Sequence, residues 1–314
     1  MFLGKNKPLI YYCFGMRENF SENRILVVGG AIGTFLGAKL HAAGCSVDLL
    51  GRGKIAHLGD TIRIQEKGYA MPPRLTALPE DSNYDLVVLA TKLHHLHDIL
   101  AQIQQARVRA GSLVSIQNGL VDNTQFNDLL GEQRLMVASV FDGFRIDGER
   151  LLTTNTGKGW KVEESSEGQK VAQIFKDAQI LCSTEPDLDR YRAEKSIVNC
   201  CLNGLSAIHD KTFIELFADP ALNARIERLF EECYAILATT FPLEARESLK
   251  ARIFEGWRYA DHYSSTWQDL TERKPTEIDF LNGFMVQLGR TQGSSIAENE
   301  SVIRELREKE NSHS

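Results

Sequence analysis

The chain of 314 residues has no apolar run approaching the roughly 18 residues that a membrane-spanning helix needs. Positive charge is not in excess: 36 Lys and Arg stand against 42 Asp and Glu, a net charge of −6. Proteins held to nucleic acid through its phosphates are usually basic, so neither nucleic acid nor a membrane is expected as a partner. The six cysteines (Cys13, Cys45, Cys182, Cys200, Cys201 and Cys233) make no C-x-x-C pair. They sit in apolar stretches, which reads as free buried thiols in a reducing, cytoplasmic setting and argues against a disulfide framework or a zinc site. His94, His95 and His97 have no cysteine or carboxylate cluster beside them, so no metal is expected. Internal repeats and low-complexity linkers are missing as well.

What is present is an alternation. Arg24–Val28 (RILVV) is a buried-strand run, the glycine turn Gly29–Gly33 follows, and Thr34–Ala43 reads as a helix closed by Gly44. Ser46–Leu50 is a second strand, completing a βαβ unit of about 30 residues with parallel strands. Asp85–Ala90, Ser112–Ile116 and Leu135–Val140 continue the strands, with a helix over Leu93–Arg107 and a looser β segment over Thr153–Glu163. Such alternation predicts a parallel sheet covered on both faces. After about Pro186 helical periodicity takes over. Asp219–Pro220 is an N-cap and N1 pair opening a helix to about Phe241, and Thr276–Arg290 and Ser295–Glu308 are further helices. The expected organisation is an extension over residues 1–23, an α/β Rossmann-type dinucleotide-binding domain over 24–186, and an all-helical domain over 187–314. Within the extension, Pro8–Met16 is apolar but lacks a small-residue cleavage site, so it reads as an extension rather than a signal peptide, with Met16 an alternative start.

A dinucleotide fold uses G-x-G-x-x-G between its first strand and helix: one glycine for the turn, one for close approach of the pyrophosphate, one for helix–strand packing. Here the segment is Val28-Gly29-Gly30-Ala31-Ile32-Gly33. Either Gly30 and Gly33 are the second and third glycines and Val28 holds the first place, or Gly29 is the first glycine and the loop is one residue short. Gly29, Gly30, Ala31, Ile32 and Gly33 are the candidate cofactor-binding turn in both cases. At the end of the second strand stands Arg52, with no acid at that point. An acid there would hold the ribose diol of NAD; an arginine suits the 2′-phosphate of NADP.

Lys195, Asn199 and Asn203 recur every four residues in an otherwise apolar helical stretch, and so share one face. A buried polar stripe must be satisfied by something, and a cleft holding a polar substrate answers that need; a solvent-facing stripe is the alternative. A second block reads Ser264-Ser265-Thr266-Trp267-Gln268-Asp269, then Lys274-Pro275-Thr276-Glu277-Ile278-Asp279. Thr276 is placed to N-cap a helix whose first turn carries Glu277.

On the glycine turn, Arg52, Thr91–Lys92, Gln117-Asn118-Gly119, the Lys195/Asn199/Asn203 stripe and the Ser-Ser-x-x-Gln-Asp…Thr-Glu-Ile-Asp block, the chain resembles the ketopantoate reductases from about Arg24 to Asn299. The resemblance implies reduction of 2-dehydropantoate to pantoate by NADPH. In that scheme Lys195 is the general acid, and Glu277 holds substrate and Lys195 in register. Asn199, Asn203 and Ser265 bind the substrate, and Asn118 lies near the nicotinamide ribose and the reacting carbonyl. Lys92 and Arg52 bind the adenine-side phosphate. A homodimer is implied as possible. Phe213 and His262 stand where the family often has asparagines, Thr266 replaces a usual methionine, and Ala297–Glu298 replaces Thr–Pro. The expectation is therefore an NADPH-dependent reductase of a 2-keto acid, with 2-dehydropantoate first. The alternatives are a dehydrogenase of the same fold with another substrate, or a non-catalytic NADP-binding paralogue with an altered glycine loop.

Overall fold

A computed structural model describes residues 23–51, 53–154 and 157–312. The first part of the chain runs β1 (Arg24–Gly29), α1 (Ala31–Ala42), β2 (Ser46–Leu50), β3 (Thr61–Ile64), β4 (Lys67–Ala70), β5 (Arg74–Leu75) and β6 (Asn83–Ala90). It continues through α2 (Leu96–Gln105), β7 (Arg109–Ile116), α3 (Asn127–Leu130), β8 (Leu135–Val140), β9 (Gly143–Asp147) and β10 (Arg150–Thr154). β11 (Trp160–Glu163), α4 (Ser166–Asp177) and β12 (Cys182–Glu185) complete it. Only helices follow: α5 (Leu188–His209), α6 (Phe213–Ala218), α7 (Pro220–Leu237), α8 (Arg246–Trp257), α9 (Ser265–Thr271), α10 (Asn282–Gln292) and α11 (Ala297–Ser312).

The main sheet has the order β5-β2-β1-β6-β7-β8-β11-β12. Every pairing in it is parallel except β8 with β11. Its central strands carry largely apolar stretches because both faces are covered; all six residues of β8 are buried. The chain leaves β1 toward β2 and returns on β1's other side as β6, so the strand order reverses between β1 and β6. Ligands of open α/β sheets bind at the carboxyl ends of the strands at such a switch point. β11 runs against β8 and pairs Trp160 with Val140, so the residues leading into β11 lie beside the carboxyl end of β8.

Several expectations need correction. A second sheet of order β4-β3-β10-β9 was not foreseen, and the looser segment expected at Thr153–Glu163 divides between the end of β10 and β11. α4, capped by Ser165 on the amide of Gly168, was also missed. The helix expected over Thr276–Arg290 is a short 3-10 turn, Ile278–Phe280, followed by α10. Thr276 caps neither, since its hydroxyl donates to Glu310. The expected residue 1–23 extension lies outside the described residues apart from Asn23.

α5 is the spine of the helical half. Asp187 caps it by accepting from the Arg190 amide, and it ends at Asp210 in the left-handed region (φ 52). It is buried along most of its length because α7, α9 and α11 pack around it. Gly204 makes the α11 contact possible: a Cβ there would stand 2.4 Å from Val302 Cγ1. Among the described residues no helix is long and apolar enough to cross a membrane.

Candidate active site

The turn after β1 resolves the two readings of the glycine segment. Val28 is an ordinary strand residue, paired with Leu50 and Leu89 and buried. Gly29 takes the first glycine's place. It lies so close to β6 that a Cβ would come within 2.2 Å of the Ala90 carbonyl oxygen. Gly30 alone then links strand to helix, so the loop is one residue short. Gly33 is buried at ordinary contact distance from Val27 and Ala90, where helix meets sheet. The start of α1 has no side-chain cap and no acid in its first turn, and Gly30, Ala31 and Ile32 are at least partly exposed. Such an end presents unpaired amides and the positive pole of the helix dipole. A Cβ on Gly30 would meet nothing within 4 Å, so the space over the turn is open. These features fit a dinucleotide pyrophosphate despite the shortened loop.

Arg52 lies outside the described residues. Lys92, at the end of β6, has partners in the helical half: its ammonium pairs with Asp269 of α9 and lies 3.4 Å from the Pro275 carbonyl oxygen. Lys92 therefore ties the two halves together. Burial pushes the Asp269 carboxyl up to about 6, against the pull of Lys92.

In the helical half, α5 delivers Lys195, which is 5% exposed. Its Nζ donates to the carbonyl of Val140, at the end of β8, and at 2.9 Å to Oδ1 of Asn118. It also lies 5.2 Å from the centre of the Phe141 ring. Burial lowers the ammonium to about 7, helped by the charge of Arg192 and opposed by Glu277 and Asp142. Glu277, also buried, accepts from the backbone amide of Leu93 at 3.1 Å and from the Asn118 side chain. Burial raises its carboxyl, while the Leu93 amide, Lys92, Asn118 and Lys195 hold the rise back. Asn118 thus stands between ammonium and carboxylate. Gly119 (φ +84) makes this closeness possible, because a Cβ there would lie 2.6 Å from the Phe280 carbonyl oxygen.

The remaining candidates line the same helices. The Nδ2 of Asn199 is buried without a hydrogen-bond partner. Asn203 is buried, and its carbonyl accepts from Ser264 at 3.0 Å. Ser265 opens α9 and is exposed, whereas Ser264 is buried and caps α9 on the Trp267 amide. The stripe on α5 is therefore turned inward, and the solvent-facing alternative does not hold for Lys195 and Asn203.

Sequence reasoning missed the Val140 carbonyl and Leu93 amide, which leave no trace in side-chain identity. It also passed over Arg192, three residues before Lys195 and hence on its face. Phe213, Trp257 and His262 were not foreseen as one group: Phe213 lies 4.8 Å from His262 and 5.7 Å from Trp257, and Trp257 lies 6.1 Å from Phe141. Chemically, the site sets a lysine whose ammonium is lowered toward neutral pH, and so can give up a proton, beside a buried carboxyl group.

The ketopantoate reductase PanE/ApbA family model matches residues 25–165, and the model of that family's C-terminal part matches residues 187–310. The chain belongs to the ketopantoate reductase family. Membership makes it a dinucleotide-dependent oxidoreductase acting on CH–OH groups. A 2-dehydropantoate 2-reductase of Mesorhizobium japonicum is 29% identical over 304 residues, covering 85% of this chain and 91% of the relative. One of Aquifex aeolicus is 24% identical, covering 91% and 97%. Among solved structures, a PanE/ApbA family ketopantoate reductase of Ralstonia eutropha superposes with a TM-score of 0.80 at 26% identity, covering 92% of this chain and 99% of that one. D-mandelate dehydrogenase solved with NADH and anilino(oxo)acetate shares the fold at a TM-score of 0.81 and 20% identity, over 92% and 99%.

Proposed function

We propose that this ketopantoate reductase family member uses NADPH to reduce a 2-keto acid to the 2-hydroxy acid, with 2-dehydropantoate the first substrate to try. The observation that carries the reading is the buried Lys195, lowered to about 7 and held by Val140 and Asn118 beside Glu277. When bound, NADPH supplies a hydride to the carbonyl carbon. The Gly29–Gly33 turn and the start of α1 hold its pyrophosphate, and Arg52, between Gly51 and Gly53 after β2, meets its 2′-phosphate. Lys195 gives its Nζ proton to the carbonyl oxygen, and its positive charge stabilises the alkoxide as that charge develops. Asn118 and Glu277 keep Lys195 aimed at that oxygen. Asn199, Asn203 and Ser265 orient the substrate's carboxylate and hydroxyl groups. In this reading residues 24–186 hold the dinucleotide and residues 187–314 supply most of the substrate contacts.

A specific observation favours a second substrate. Phe213 and His262, with Trp257 and Phe141, form an aromatic wall near Lys195, which suits a 2-keto acid with a bulkier apolar side chain.

The test is a fluorescence titration of the purified protein with NADPH and with NADH, followed by an assay of NADPH oxidation with a series of 2-keto acids. Tighter NADPH than NADH binding and turnover of a 2-keto acid are expected. No binding of either nucleotide, or binding without turnover of any 2-keto acid, overturns the reading.

A further inference from the structure

We propose that Arg192 is a positioning residue of the reaction: its buried guanidinium, one helical turn before Lys195 and seated on the Gly119 carbonyl, is a fixed positive charge that makes Lys195 readier to give its proton to the substrate. The inference rests on the reductase reading above and concerns a residue that the family resemblance did not supply.

Arg192 and Lys195 stand three residues apart on α5, so they are neighbours on the helix surface, with Cβ atoms about 5 to 6 Å apart. Both side chains end on the same short segment after β7. The Lys195 Nζ donates to Oδ1 of Asn118 at 2.9 Å. The Arg192 Nη2 donates to the carbonyl of the next residue, Gly119, at 3.4 Å. That segment is closely packed: Gly119 is in the left-handed region (φ +84), and a Cβ on it would lie 2.6 Å from the Phe280 carbonyl oxygen. The two cations are thus brought to adjoining atoms of one pinned turn, from adjoining positions of one helix.

Arg192 is 7% exposed, and its Nε is buried without a hydrogen-bond partner among the described residues. The Asp189 carboxylate lies 3.4 Å from Nη1, but that side chain is 75% exposed. Water therefore weakens the pair with Asp189, whereas the field between two buried groups is screened much less. Burial lowers both cations, but an arginine starts so far above neutrality that it keeps its charge, and the lysine yields. The other charged groups acting on Lys195 divide by sign. Glu277, before α10, and Asp142, after β8, favour the ammonium, while Lys158, before β11, opposes it less strongly than Arg192 does.

The test is an NMR titration of the lysine side chains, labelled at the ε carbon, in wild type, Arg192→Gln and Arg192→Met. Lys195→Ala assigns the Lys195 signal, and pH profiles of kcat/KM in both directions accompany the titration. Glutamine keeps a donor for the Gly119 carbonyl and loses the charge. Methionine loses both and leaves behind only the exposed Asp189, so the fold should hold. In both variants Lys195 should titrate about one pH unit higher than in wild type, and the fall of the reduction rate with pH should move up equally. Oxidation of the 2-hydroxy acid, which needs the neutral amine, should drop about tenfold near neutrality, while NADPH affinity stays within about twofold. A Lys195 signal that titrates in both variants where it does in wild type overturns the inference and leaves the reductase reading intact. A rise with Met but none with Gln traces the effect to the Gly119 bond and overturns the role of the charge. A wild type that reduces no 2-keto acid overturns the reductase reading, and this role for Arg192 with it. Should one variant fail to fold, the other is judged by the same titration.

Discussion

The two faces of the cleft are made of different material. The proposed dinucleotide face is backbone: a glycine against β6, one linking glycine and the uncapped start of α1. The acid face is side chain, with Lys195, Asn118 and Glu277 joined in one hydrogen-bonded series that draws on β7's end, α5 and the segment before α10. Amides are supplied by every residue, so the first face keeps its character after losing a residue, provided glycine remains at the point of contact. The second face depends on the identity of each member, since replacing one strands a buried polar partner.

Breaking the side-chain face should have the largest effect. Lys195→Ala is expected to lower kcat by about 10²- to 10⁴-fold, the usual share of a positioned general acid, while NADPH affinity stays within about twofold. Steady-state kinetics beside a nucleotide titration check both halves of that statement, and an unchanged kcat would remove Lys195 from its role.

Next come two neighbouring glycines with opposite expectations. Gly29→Ala forces a methyl group onto the Ala90 carbonyl and should destabilise the protein by about 2 kcal/mol or more, seen as a lowered Tm. A Cβ on Gly30 meets nothing within 4 Å, so Gly30→Ala should lower Tm less than Gly29→Ala does. Its methyl group does crowd the pyrophosphate, and NADPH affinity should fall by about tenfold, or ~1.4 kcal/mol. Equal melting temperatures for the two variants would contradict the close approach of β1 and β6.

The smallest effect sharpens the electrostatics. In the proposed mechanism reduction needs Lys195 protonated, and burial lowers its ammonium to about 7. The kcat/KM for reduction should fall as pH rises through 7, approaching tenfold per unit above it. The reverse oxidation needs the neutral amine and should rise over the same interval. A pH profile in both directions tests this, and a reduction rate still flat beyond pH 8 would contradict it.

How much of this was legible in the sequence varies with how local the cause is. The parallel core was readable because β1, β6 and β8 each carry an apolar run of at least four residues, and the α5 stripe because four-residue spacing fixes a helix face. The second sheet was not, because β3 and β10 are four and five residues long and meet across more than eighty residues of chain. The break at 277–281 was hidden for a similar reason. Local propensity favours a helix from Thr276, but Glu277 is drawn to the Leu93 amide and Phe280 is packed on Gly119, both distant in sequence.

Asn118 has one more consequence. Its carbonyl oxygen faces the ammonium and its amino group faces the carboxylate, and a carboxamide neither takes up nor releases protons near neutrality. It acts as an insulator: Lys195 feels the field of Glu277, but no proton passes between them through this amide. In the proposed mechanism, Lys195, once it has given its proton to substrate, takes its replacement from a source other than Glu277.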